Sequence, residues 1–115
     1  MSKFTNKIDF AVVFSAKNAN PNGNPLNGNR PRENYEGYGE VSDVCLKRKI
    51  RNRFQDIGYE IFVQSDDKNA DGYKSLSERA SAASELKEAG KDKEKYAQAA
   101  CKKWLDVRTF GQVFA

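Results

Sequence analysis

Five cations, Lys47, Arg48, Lys49, Arg51 and Arg53, fall within seven consecutive positions. From Asp43 to Arg53 the net charge is +4, equal to that of the whole 115-residue chain, so the remaining residues balance to zero. On a helix, Lys47 meets Arg51 and Lys49 meets Arg53 at i, i+4, where like charges repel. A nearby anion removes that cost. The chemistry such a cluster serves is phosphate binding, with a solvated helix face as the plain alternative. A second group lies upstream. Residues 17–40 hold all three prolines, seven of the ten asparagines and four of the eight glycines. Repeated Asn-Pro and Asn-Gly pairs predict consecutive tight turns. Turn N–H groups and small side chains let a phosphate approach closely, and Arg30 and Arg32 sit among them. No Gly-Lys-Ser/Thr follows, so this is not a Walker A loop, and G-x-G-x-x-G is not matched either.

Other chemistry is excluded or weakly marked. With no His, there is no Ser-His or Cys-His nucleophile pair and no His-ligated metal. The two cysteines, Cys45 and Cys101, cannot complete a four-ligand zinc site by themselves. Asp66, Asp67 and Asp71 lie in a polar turn that lacks the spacing of a calcium loop and read as solvated turn acids. Asp106 and Arg108 can pair with each other or with the basic helix. Trp104 is most simply a core residue, and the cysteines small buried apolar groups. No catalytic residue, metal or cofactor is expected.

The elements that position these groups follow from periodicity. Ile8 to Ser15 alternates, with Phe10, Val12 and Phe14 on one face, and predicts a strand; Ala11 and Val13 make the other face apolar as well. Ser42-Asp43 offers an N-cap to a helix on which Leu46, Ile50, Phe54 and Ile57 share a stripe, leaving Lys47, Arg48 and Arg51 on other faces. Gly58 is placed to end it. Tyr59 to Gln64 predicts a second strand, which makes a β-α-β unit across a long loop over 17–40. Further helices are expected within 76–105, broken at Gly90, ahead of the apolar tail 106–115.

Leu, Ile, Val and Phe total 23 residues, a fifth of the chain, which predicts one lean domain with a small core. The pI of about 9.1 favours a polyanionic partner. Isolated cysteines predict a reducing cytosol. The first 14 residues have no long apolar core or small-residue cleavage site, so no secretory leader is expected.

Four segments in order, NPNGNP from Asn20, RPR from Arg30, VSDVCLKRKIR from Val41 and DVRTFG from Asp106, carry a family resemblance. The chain resembles the N-terminal part of the backbone subunit of the type I-C CRISPR surveillance complex (Cascade), within the RAMP superfamily. The likeness covers residues 8–64 and resumes at about 103–115. The family commonly carries Asp where Asn24 stands, and its members continue well beyond the DVRTFG segment.

The resemblance implies an α+β fold, here an incomplete RRM-like (ferredoxin-like) domain spanning 1–115 with a β-α-β core and a helical insertion. It implies antiviral defence in the cytoplasm, with several copies stacked along one guide RNA (crRNA) and no catalysis. The implied partners are crRNA, other effector subunits, further copies of the chain and, through the assembled complex, target DNA; no membrane is involved. Carried over by motif, RNA contacts fall on Ser42, Lys47, Arg48 and Arg51, with Asn20, Asn22, Arg30 and Arg32 as a second group. Two alternatives stand beside this: a metal-dependent endoribonuclease of the same superfamily, using Asp66, Asp67 or Asp71, and a non-catalytic oligomerising fragment with exposed strand edges.

Overall fold

The computed structural model describes residues 3–114; Met1, Ser2 and Ala115, the last residue of the expected apolar tail, lie outside them. The chain divides into two compact units, Met1–Val41 and Ser42–Ala115.

In the first unit the turn-rich loop is built as expected. Strands β1 (Gly23–Asn24) and β2 (Arg30–Pro31) pair antiparallel, with Gly23 opposite Pro31 and Asn24 opposite Arg30. A short 3-10 turn, Pro25–Asn27, joins them. The Asn24 side chain accepts from the Leu26 N–H at 3.1 Å, and Gly28 and Asn29 turn the chain through the left-handed region at φ 59° and 57°. At Gly23 a Cβ would lie 2.0 Å from Asn29 Oδ1, so any larger residue requires the Asn29 side chain to move. A second turn follows, closed by a bridge between Glu33 and Gly39. Its tip is held by Asn34, whose side-chain oxygen accepts from the Glu36 and Tyr38 N–H groups at 3.0 Å.

The strand expected over 8–15 makes no ladder. Phe10, Val12, Val13 and Phe14 are all exposed. Alternation prepares a segment for a sheet, but a strand also needs a neighbour to accept its backbone hydrogen bonds, and no described segment supplies one.

The second unit is helical. Helix α1 spans Asp43–Asp56, α2 Leu76–Ala82, α3 Ser84–Ala89, α4 Lys93–Lys103 and α5 Leu105–Phe110. Caps set the boundaries. The Ser42 hydroxyl accepts from the Cys45 N–H, and Asp92 Oδ1 from those of Glu94 and Lys95. Past Ile57, Gly58 adopts φ 96° and donates its N–H to the Gln55 carbonyl, while Tyr59 donates to that of Phe54. That is a Schellman end, and the edge-on contact of the Phe54 and Tyr59 rings is its usual apolar companion. The helical stretch expected before Gly90 is two helices, because Ala83 leaves helical geometry at ψ 112°. Residues expected as a plain tail include α5, which Gly111 ends at φ 78°.

The core of this unit gathers Phe62, Ala83, Leu86, Ala100, Trp104 and Val107. Phe62 and Trp104 lie 4.6 Å apart between ring centres, Phe62 and Phe114 5.0 Å, and Tyr96 meets Phe114 edge-on at 5.3 Å. Four rings therefore stand in for the aliphatic side chains the composition lacks.

Trp104 is 2% exposed and meets the rings of both Phe62 and Phe114 in this cluster. Trp104→Ala is expected to lower unfolding free energy by about 3–5 kcal/mol, read as a fall in urea midpoint by circular dichroism. A midpoint within error of the parent would show that the aromatic cluster does not hold the unit together.

Candidate functional site

Helix α1 is positioned through its polar face. One side of it carries Arg48, Arg51, Asn52 and Gln55, all partly buried. Arg51 Nε donates to Asp106 Oδ2 at 3.1 Å, and Asp106, on α5, is 1% exposed. The same carboxylate accepts the backbone N–H groups of Phe62 at 2.8 Å and Val63 at 3.0 Å. Arg48 donates to the Val63 carbonyl at 2.7 Å, and Gln55 Nε2 to the Lys68 carbonyl. Burial, then the like charge of Arg51, lowers the Arg48 pKa from its ordinary value.

The segment 59–64, expected as a strand, is therefore held by side chains in place of a neighbouring strand. Asp106 takes two of its N–H groups. Arg48 and Arg79 supply donors to the Val63 and Phe62 carbonyls, Gln64 Nε2 to that of Ile61, and the Leu105 N–H reaches the Glu60 carbonyl. The Phe62 N–H and carbonyl are buried and would otherwise be costly orphans.

Arg79, 5% exposed, was unmarked in the sequence, where it sits in a helix poor in large apolar groups. Its guanidinium meets both oxygens of Asp71, at 2.6 and 2.8 Å. The hydrogen bonds from Arg79 hold the Asp71 carboxyl below the usual carboxylate range, and in turn raise Arg79. Asp71 is thus more than the solvated turn acid expected. A cavity of about 480 Å³ opens beside it, lined by Gln55, Tyr59, Arg79, Lys103 and Trp104 among others. Its two cations are already engaged, Arg79 by Asp71 and Lys103 by Glu60 and Glu85. Among the described residues no group of three or more His, Cys, Asp or Glu is placed to hold a metal, and no helix is long and apolar enough to cross a membrane.

The structure brings Ser42, Lys47, Arg48 and Arg51 together on α1, with different roles. Ser42 caps the helix. Lys47 pairs with Asp43 at 2.9 Å, and Lys47 and Arg51 both lie over the Phe110 ring, at 5.5 and 5.0 Å. The expected apolar stripe is only half used: Ile50 and Phe54 are partly buried, while Leu46 and Ile57 are 49% and 52% exposed. The other four candidates belong to the first unit. Asn20 Nδ2 donates to the Asn29 carbonyl and Asn22 Nδ2 to that of Gly23, so both brace the turns. Arg32 pairs with Glu40 at 3.1 Å, and Arg30 is exposed.

The sequence profile described as CRISPR-associated protein Cas7 matches residues 6–115. The chain belongs to the Cas7 family. It is similar to a CRISPR-associated protein Cas7 from Haloferax volcanii, with 43% identity over 60 residues. That stretch is 51% of this chain and 18% of the relative's length. The family match takes in both the turn-rich loop and the α1–Asp106 assembly.

Two outcomes test how this Cas7-family chain holds its basic helix. Asp106→Ala leaves Arg51 and two backbone N–H groups without their acceptor and is expected to cost about 3–5 kcal/mol in urea unfolding. A loss below about 1 kcal/mol would show the carboxylate to be dispensable. For pH, Asp71 has a depressed folded value, so its contribution is whole above its unfolded value of about 4 and drains as pH falls through the folded one. Asp71→Asn should therefore flatten the decline of urea midpoint with acid below about pH 4, and an equally steep decline would contradict the pairing.

Proposed function

We propose that this chain contributes to a guide-RNA-binding backbone subunit of a type I CRISPR antiviral surveillance complex, of the I-C kind, holding the sugar-phosphate backbone without catalysis. The observation that carries this reading is the net charge of +3 on helix α1, five cations against Asp43 and Asp56, inside a Cas7-family match. Guide sequences vary, so a subunit that accepts all of them must grip phosphate and ribose in preference to base edges. Cations on a rigid helix suit that task. The chain would form the N-terminal part of an RRM-like domain, act in the cytoplasm, and stack head-to-tail with further copies and other effector subunits, engaging target DNA through the assembly. The tie between Asp71 and Arg79 favours a non-catalytic role, since it engages one of the three acids from which a nuclease reading would have to choose.

One observation favours a second reading, an oligomerising fragment: Phe10, Val12, Val13 and Phe14 are exposed on a segment with strand alternation, and such segments pair readily with another chain. Light scattering separates the two, because a monodisperse monomer at high concentration counts against self-association.

The leading reading is tested by titrating the full chain with labelled single-stranded RNA over a salt series. Neutralising about three phosphates gives a log–log slope near −2, similar for RNAs of unrelated sequence. A slope near zero, or magnesium-dependent cleavage of the bound RNA, would overturn it.

A further inference from the structure

The five clustered cations are not equivalent once their partners are named. Arg51 is neutralised by Asp106, and Arg48 is turned inward onto the Val63 carbonyl. Lys47 is paired with Asp43 one turn earlier. The other acid of α1, Asp56, is paired with Lys68. Lys49 and Arg53 remain: both are exposed, and neither has an ion pair among the described residues. They stand one turn apart, about 6 Å along the axis, on the face that also shows Leu46 and Ile57. Their mutual repulsion is therefore uncompensated within the described fold. The helix dipole favours Arg53 in the last turn but does nothing for Lys49 in the middle of the helix.

Resting on the guide-RNA reading above, we propose that Lys49 and Arg53 form a two-point clamp for neighbouring phosphates of single-stranded RNA, and that Arg48 and Arg51 are tethers holding the helix that presents it. The clamp reverses the order that motif position suggests. A guanidinium anchored to a carboxylate or carbonyl inside the fold is fixed in place by that bond and, for Arg51, has its charge cancelled. An exposed, unpaired cation keeps its reach and its charge for a phosphate. The exposed Leu46 and Ile57 side chains flank the two contacts along the helix and give the ribose faces an apolar surface to lie on.

The test uses the full chain and labelled single-stranded RNA. The double variant Lys49→Ala with Arg53→Ala is expected to reduce the magnitude of the log–log salt slope by about 1.4, at about 0.7 per phosphate on a single strand, equally for RNAs of different sequence. Its urea midpoint should match the parent's. Arg51→Lys, which keeps the charge but loses the guanidinium geometry, should lower the urea midpoint and leave the salt slope unchanged. If the parent binds with a finite slope and the double variant keeps it, the clamp is overturned and the guide-RNA reading stands. If the parent shows no salt-dependent binding, both fall. A double variant that binds RNA like the parent but loses self-association by light scattering would make this face a protein contact and likewise overturn the clamp.

Discussion

The carboxylate of Asp106 is the point on which the second unit turns. It is almost wholly buried, yet it meets three donors from two other parts of the chain: the Arg51 guanidinium on α1 and the N–H groups of Phe62 and Val63. A buried charge is tolerable only when paired and hydrogen-bonded, and here that demand draws α5, α1 and the segment 59–64 together. Arg48 and Arg79 complete the arrangement from the carbonyl side. The result is a short run, bent at Phe62 and Val63, whose backbone bonds are made mostly by side chains, with Phe62 of that same run delivered into the aromatic core. The polar network and the core are thus built on consecutive residues, so loosening one displaces the other.

That network also decides what the basic helix has to offer. Charge counted along the sequence treats Lys47, Arg48, Lys49, Arg51 and Arg53 alike. In the folded unit the inward cations act as structural members, and Phe110 lies beneath two of them, at 5.5 Å from Lys47 and 5.0 Å from Arg51. The exposed potential of α1 is smaller than the +4 of residues 43–53 suggests, and its unpaired cations, Lys49 and Arg53, lie on one face. For a Cas7-family chain this matters because the same helix must be both fixed in the protein and available to a partner. Dividing its cations between an inner and an outer face satisfies both requirements with one short element.

Local signals were legible wherever the physics is local. Ser42 as an N-cap, Gly58 and Gly90 as helix ends, and the turns of 17–40 follow from side chains bonding backbone within a few residues, or from backbone angles that glycine alone adopts without strain. The pairing of Asp106 with the basic helix was readable as one of two options, since charge complementarity is visible in composition though distance is not. Arg79 was not readable: a lone arginine in a helix of small residues carries no sign that it will be buried against Asp71. Nor was the fate of the two strand-like segments. Ile8 to Ser15 and Tyr59 to Gln64 share the same alternation, yet the first is exposed without a ladder and the second is pinned by side chains from three helices.

The sequence by itself determined the basic helix, its start and its end, the two-turn loop before it, and the ordered motifs that match the Cas7 family. Those depend on residues near one another in the chain. Tertiary structure alone decided which side of that helix faces inward, and therefore which cations are tethers and which are free to meet an anion. Helical periodicity marked Leu46, Ile50, Phe54 and Ile57 as the inner stripe, because the burial of apolar surface usually orients a helix more strongly than anything else. In this lean unit, a buried carboxylate and a run of unpaired backbone groups imposed a stronger demand, and the arginines turned inward to meet it.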